Sequence, residues 1–486
     1  MPFIYLLLFA LICLQPGPSW PAPPLESPGC EILVVTMMLT SWLTAGLIAK
    51  AICWQMVRHP EQRSSLVRRY ARWRRYHFIS LLVAYMALLY LLGWGSVLTE
   101  TWINGTPWLT DLEKQQLFEG RDVALTIPGK EISLLVPFLV ALVLSWERFY
   151  LVEKTAYELV HDADRYLSRR TYLVLQIRHQ MLLVMPPILL LLLQQILFTL
   201  FPNWNRDSYL PALIATALMG ATFVSMPILL RLLLGLKPLP PGPLRDRLEN
   251  TARRLGIGYS NVLVWNTRNL LANALVTGFV PWVRYIVLTD RLIEELTPDE
   301  IEAVFGHEVG HIKHHHLFFY LAFFVTSYIF LGMFWEVVKW WITQEEVRSS
   351  VSDIWEMLKT LSSFGKVGLL ASYTMLAFGF ISRRCEQQAD LFSAGTVSSD
   401  AFISALEKVA YINGIPRDRA GNWLLSWQHP TIAQRVHFLE EMRDHPTRIP
   451  GFHRGIFLMQ WVFYVTLAYL LWSFSLPDVW KLLAEF

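Results

Sequence analysis

The chain has 486 residues, 54% of them hydrophobic and only 17% charged, with a mean hydropathy of +0.36. Soluble chains carry about 25% charged residues, so this composition excludes a disordered protein and argues against an ordinary soluble globule. The formal net charge of +3 is too mild to imply nucleic acid, while the 20 Trp and 18 Tyr suit membrane interfaces.

The first fifteen residues are apolar but short, and a Pro-rich stretch from Pro16 to Pro28 follows. This resembles a signal h-region, yet no Lys or Arg precedes it and no clear small-x-small site follows. A cleaved signal and a retained membrane helix both stay open for residues 1–30. Eight later runs are long enough to cross a bilayer, which takes about 20 apolar residues: roughly 31–53, 78–99, 132–152, 181–202, 209–235, 317–341, 364–382 and 455–475. Charges within them, Glu147, Arg148 and Arg231, lie toward segment ends, where snorkelling is cheap. Cys13, Cys30, Cys53 and Cys385 form no CxxC pair, so neither a disulfide framework nor a cysteine zinc site is supported.

Loop charge orients the array. Residues 54–77 carry Arg58, Arg63, Arg68, Arg69, Arg72, Arg74 and Arg75 against Glu61. The next loop, 100–131, is acidic, and 153–180 is again basic with Arg165, Arg169, Arg170 and Arg178. Positive loops stay in the cytoplasm. Alternation then puts 236–316 and 383–454 on the cytoplasmic side and the acidic 342–363 loop outside. The expected divisions are 31–236 (five membrane helices), 237–316 (a first solvated region), 317–382 (two helices), 383–454 (a second solvated region) and 455–486 (a last helix).

Beyond the Pro-rich linker Leu236–Leu244, the runs Val262–Trp265, Ala274–Thr277 and Tyr285–Thr289 read as strands. Thr297-Pro298-Asp299-Glu300 then reads as a helix start, with Thr297 as cap, Pro298 at the first helical position and Glu300 closing a capping box. That helix carries His307-Glu308-Val309-Gly310-His311. Residues four apart share a helix face, so His307 and His311 can grip one Zn²⁺ while Glu308 reaches a water in the open position and acts as general base. Gly310 weakens such a helix, which a close backbone approach or a substrate cleft would explain. His314, His315 and His316 mark the helix leaving water for the bilayer.

A third ligand is sought in Arg383-Arg384-Cys385-Glu386-Gln387-Gln388-Ala389-Asp390. Glu386 and Asp390 are one turn apart, a repulsive spacing that a shared cation would rationalise. Glu386 is assigned to zinc, and Asp390 to fixing a ligand histidine through its second nitrogen. A solvated acidic pair balanced by Arg383 and Arg384 is the alternative.

These motifs resemble the HtpX and type I CAAX prenyl protease family of membrane zinc endopeptidases. Asn273-Ala274-Leu275-Val276-Thr277-Gly278 is similar to the family's Asn-Ala strand, and His429-Pro430 with Arg435 to its late His-Pro…Arg motif. The motif-bearing likeness covers about 260–440, and the 455–475 segment departs from it. The resemblance implies a mainly α, polytopic membrane protein with about eight transmembrane helices and a cytoplasmic α+β, gluzincin-like zinc metallopeptidase domain. It implies one Zn²⁺ on His307, His311 and Glu386, and a polypeptide substrate added as a strand at Asn273 and Ala274. It further implies an oxyanion stabilised by His429 and Arg435. The residues alone leave Asn273 open as a turn residue and His429-Pro430 as a helix start. Turnover of membrane-associated or misfolded proteins, CAAX-type processing of prenylated tails, and a non-catalytic membrane sensor or scaffold are the functions in view. The lipid bilayer is the other expected partner, and the sequence leaves oligomeric state open.

Overall fold

Long apolar stretches fold as helices because a membrane leaves backbone groups no other partner, and most of this chain is helical. The computed structural model describes residues 27–111, 114, 127–159, 166–200, 210–342, 372–415, 417 and 430–473. The N-terminal apolar stretch, residues 112–113 and 115–126 of the acidic 100–131 loop, residues 343–371 and His429 lie outside the described residues. The chain divides into two units at Thr222.

The first unit holds helices α1 (Gly29–Arg58), α2 (Arg63–Tyr90), α3 (Trp94–Asn104), α4 (Lys130–Glu158) and α5 (Arg169–Leu200); α6 (Leu210–Leu234) begins in it. Helix α1 packs along α4. Ala45 and Ala49 are fully buried there, and small residues let helix backbones approach where lipid offers no hydrophobic drive. Phe138, Phe149 and Tyr85 fill the rest of this core. Among the described residues, Gly29–Arg58 and Ile132–Glu158 are each long and apolar enough to cross a membrane. Pro60–Leu89 and Trp94–Asn104 qualify together but are bent by 57°, at a break where Gly93 takes φ 92°.

The second unit contains a four-stranded sheet, β1 (Lys237–Pro238), β2 (Asn261–Trp265), β3 (Ala274–Thr277) and β4 (Tyr285–Thr289), in the order β1-β2-β4-β3. The β2–β4 pair is parallel and the outer pairs are antiparallel, so β3 is an edge strand. Strands β2, β3 and β4 fall where the strand runs put them, whereas β1 lies in the stretch read as a Pro-rich linker. Helix α7 (Pro243–Arg254) and the short α8 (Asp290–Glu295) flank the sheet, and α9 (Pro298–Lys313) follows. The reciprocal Thr297–Glu300 capping box starts α9 as its sequence dictates. Ile301, Phe305 and Val309 of α9 pack on Ile286 and Leu288 of β4. The metal-motif helix is thereby pinned to the sheet.

Three further helices of this unit matter to the site: α10 (His316–Ile342), α11 (Gly379–Ser393) and α12 (Ser399–Ile412). Helix α11 crosses α9, and a turn of π-helix stands at each end of it, at Thr374–Phe378 and Ala394–Ser398. Gly310 makes the crossing possible: a Cβ there would lie 3.0 Å from the Ala389 Cα. The expected change at 382 from membrane helix to solvated region is no break, because α11 runs through it. Helices α13 (Ile432–Asp444) and α14 (Ile449–Ser473) close the unit. Phe319 of α10 meets Phe463 of α14 edge-on, and Phe323 meets the same ring at a tilt.

Candidate metal centre

The α9–α11 crossing brings together what the sequence separates by some eighty residues. His307, His311 and Glu386 are all buried, and one ligand atom of each lies within 4.8 Å of the others. The two Nε2 atoms are 3.2 Å apart; Glu386 reaches them at 3.6 Å (His307) and 3.5 Å (His311). Zinc bonds of about 2.0–2.2 Å in tetrahedral geometry give ligand edges of about 3.3–3.5 Å. The donor triangle therefore has the size and the nitrogen–nitrogen–oxygen chemistry that zinc takes.

The remaining ring nitrogens are engaged. Nδ1 of His307 lies 2.9 Å from Asp390, an ion-pair contact off the ideal hydrogen-bond direction. Phe402 of α12 stacks on the same ring at 5.4 Å. Asp390 is fully buried and held by Arg435 of α13, whose Nε and terminal nitrogen donate at 2.9 and 2.5 Å. Burial works against the Asp390 charge, but the Arg435 guanidinium and the His307 ring outweigh it and hold its carboxyl below the ordinary range. Burial likewise disfavours protonated His307, and Asp390 more than offsets this, so that ring is shifted upward. Arg435 also stands 3.9 Å from Glu386.

On the other ligand, His311 Nδ1 meets His316 Nδ1 at 2.9 Å. His316 Nε2 meets Gln388 Oε1 at 3.0 Å, and Gln388 Nε2 meets His453 Nδ1 at 2.9 Å. With Nε2 of His311 turned to the donor triangle, its Nδ1 carries the proton and every link donates in one direction, ending on an Nε2–H of His453.

Glu308 is buried beside His307, and burial pushes its carboxyl up to about 7. The backbone of β3 reaches it, because the Val276 N–H bonds the carboxylate. Thr289 N–H donates to the Asn273 carbonyl at 3.0 Å, and Asn273 N–H to Thr289 Oγ1 at 2.9 Å. Asn273 thus spends its backbone on β4. By antiparallel alternation, Ala274 and Val276 turn theirs to the outer edge. That edge is the one that meets Glu308.

Of the residues singled out from the sequence, His307, Glu308, His311, Glu386, Asp390 and Arg435 meet in this one buried cluster. Asn273 and Ala274 lie at the start of the edge strand. The chain from His316 through Gln388 to His453 was not legible. The run His314-His315-His316 does mark the break between α9 and α10, but His316 turns back into the core and is fully buried.

Residues 238–443 match peptidase family M48. Over that span the chain is similar to proteins named as HtpX and CAAX prenyl proteases. It is 30% identical over 162 residues to "Probable CAAX prenyl protease 1" of Schizosaccharomyces pombe, covering 32% of this chain and 33% of that protein. It is 26% identical over 215 residues to "Protease HtpX" of Alkalilimnicola ehrlichii, covering 41% and 69%. The CAAX prenyl protease 1 homolog of Oryza sativa subsp. japonica is 27% identical, with 42% and 48% covered. The chain therefore spans between a third and about two thirds of these relatives' own lengths. The crystal structure of S. mikatae Ste24p matches with a TM-score of 0.53 at 17% identity, over 85% of this chain and all of that one. That likeness speaks to the fold alone.

Proposed function

We propose that the chain is a membrane-embedded, zinc-dependent endopeptidase that hydrolyses peptide bonds of membrane-associated or misfolded proteins. The observation that carries this reading is the buried donor triangle with Glu308 beside it and the β3 edge reaching Glu308. One Zn²⁺ on His307, His311 and Glu386 would supply a Lewis acid for the scissile carbonyl and an acidified water.

The chain's own residues do the rest. Glu308 takes the proton of the attacking water and returns it to the leaving amine, a task suited to a carboxyl raised toward neutrality. Asp390 holds the His307 ring so that its Nε2 faces the ligand position. The outward backbone groups of Ala274, with the Asn273 side chain, take the substrate as an added strand. Arg435 and His429 stabilise the oxyanion of the tetrahedral intermediate. Arg435 is already held at the site by Asp390, 3.9 Å from Glu386.

The eight-span arrangement with both solvated regions on the cytoplasmic face is part of the same proposal; it rests on the loop charges. The relatives' names also support a second reading, CAAX-type processing of prenylated tails. Glu308→Gln tests the chemistry: it should keep one zinc per chain by metal analysis and lose about 10²–10⁴-fold in cleavage of a casein-type substrate. Unchanged cleavage in that variant would sink the mechanism. Polypeptides trapped on the same variant and identified by mass spectrometry separate the substrate classes, since prenylated tails would favour the second reading.

A further inference from the structure

Beside α11, the ends of α9 and α14 line an open cavity of about 630 Å³. Helix α14 is fastened there, with the Gln460 side-chain amide donating to the His314 carbonyl at 3.0 Å. Its lining includes the polar side chains of Lys313, His314, His315 and His453. No carboxylate lines it, and Lys313 Nζ has only the neutral Leu255 carbonyl, at 3.3 Å, among the described residues. Nε2 of His314 is buried and lacks a hydrogen-bond partner among the described residues. The relay described above delivers a further donor, the Nε2–H of His453. The lining therefore offers a positive charge and N–H donors to something not on the chain.

The same lining includes the aromatic side chains of Phe318, Phe457 and Trp461. From it an exposed apolar stripe runs down one face of α14 at helical spacing: Phe457, Trp461, Val465, Tyr469 and Trp472 are each half exposed or more. A basic, donor-rich head joined to a long apolar face, at the point where α9 gives way to the apolar α10, fits an amphiphile with an anionic head. Aromatic residues of this kind sit at the headgroup level of bilayers.

We propose that this cavity seats the phosphate headgroup of an anionic phospholipid, its acyl chain lying along the α14 stripe, and that the His453–Gln388–His316 relay carries its occupancy to the ligand His311. The coupling half rests on the endopeptidase reading; the binding half does not.

The test uses the full chain in nanodiscs of phosphatidylcholine, with or without phosphatidylglycerol. Native mass spectrometry reads retained lipid, and cleavage is assayed in parallel. Lys313→Glu should lower phosphatidylglycerol retention about fivefold or more, Lys313→Gln should fall between it and the parent, and phosphatidylcholine should be unaffected. Gln388→Met, at a residue that itself lines the cavity, should lower phosphatidylglycerol retention less than Lys313→Glu does but lose any phosphatidylglycerol-dependent change in cleavage rate. Equal retention by the parent and both Lys313 variants would overturn the site. Displacement of phosphatidylglycerol by inorganic phosphate, or recovery of a bound peptide in its place, would overturn the lipid assignment. A Gln388→Met rate that still follows the lipid would overturn the relay. Lys313-dependent retention with no cleavage in any nanodisc would remove the endopeptidase reading and leave the binding site standing.

Discussion

Two helix crossings in this molecule are built alike and do different things. In the first unit, α1 packs on α4 through Ala45 and Ala49; in the second, α9 packs on α11 through Gly310 and Ala389. Each buries polar side chains beside the contact. Between α1, α2 and α4, His77 Nε2 meets Ser145 Oγ at 2.9 Å, and Ser41 Oγ meets Ser145 Oγ at 3.0 Å. Thr44 Oγ1 takes the other His77 nitrogen at 3.3 Å. Both nitrogens of His77 are spent on neutral hydroxyls, so the group is a satisfied knot in an apolar bundle. Between α9 and α11 the outer nitrogen of each histidine is spent, on Asp390 or His316, and that aims the inner one at a shared point with Glu386. Burying histidine is not what makes a site. Leaving convergent lone pairs while the second nitrogen is pinned is.

The largest break of this contrast is Asp390→Ala. It should lower zinc affinity about 10–100-fold, and the Arg435 charge left buried should cost about 3–5 kcal/mol of stability. Its counterpart Ser145→Ala removes a neutral partner and should cost about 1–3 kcal/mol with zinc content unchanged. Metal analysis beside denaturant unfolding separates the two. If Ser145→Ala also emptied the metal site, the distinction would collapse.

Next come the contacts themselves. Gly310→Ala adds a methyl 3.0 Å from the Ala389 Cα, so it should cost about 1–3 kcal/mol despite alanine's better helix propensity. Gly46→Ala on α1 places its methyl 3.5 Å from the Arg148 side chain, an ordinary contact, and should be neutral or stabilising by up to about 1 kcal/mol. Equal thermal shifts for the two would mean the α9–α11 crossing is looser than drawn. Gln388→Met should weaken zinc by about tenfold, because His316 loses the acceptor that fixes its tautomer; isothermal titration of zinc into apo-protein reads this directly.

The smallest expected effect is acid-linked. Burial alone would raise the Glu300 carboxyl, but Lys408, Ser404 and the capping contacts outweigh it and hold it at about 2. A depressed carboxyl stabilises the fold above its unfolded value of about 4.3 and loses that contribution as pH falls toward 2. Lys408→Met should therefore shrink the stability difference between pH 6 and pH 3. A Lys408→Met unfolding profile parallel to the parent over that range would refute the link.

The sequence made much of the site legible because its signals are local. The capping box, the i, i+4 histidines with Glu308, and the strand runs at 274–277 and 285–289 all fall within one element each. Glu386 and Asp390 were assigned from their one-turn spacing, which could also be read as a solvated acidic pair. Bonded to Arg435 and His307 and fully buried, Asp390 is no solvated acid. The eight apolar runs were read from hydropathy alone; among the described residues, two helices, or three counting the bent pair, are long and apolar enough to cross a membrane.

By itself, then, the sequence determined the helical, membrane-suited character of the chain and singled out two histidines one turn apart with Glu308 beside them as the candidate metal ligands and base. Those features depend on periods of a few residues. Only the tertiary structure decided that Gly310 serves a close helix crossing. It alone turned His316 inward and gave Gln388 a histidine on either side, and it turned the outer edge of β3 to Glu308. Each of these joins residues from separate elements, and no period in a sequence records which faces will meet.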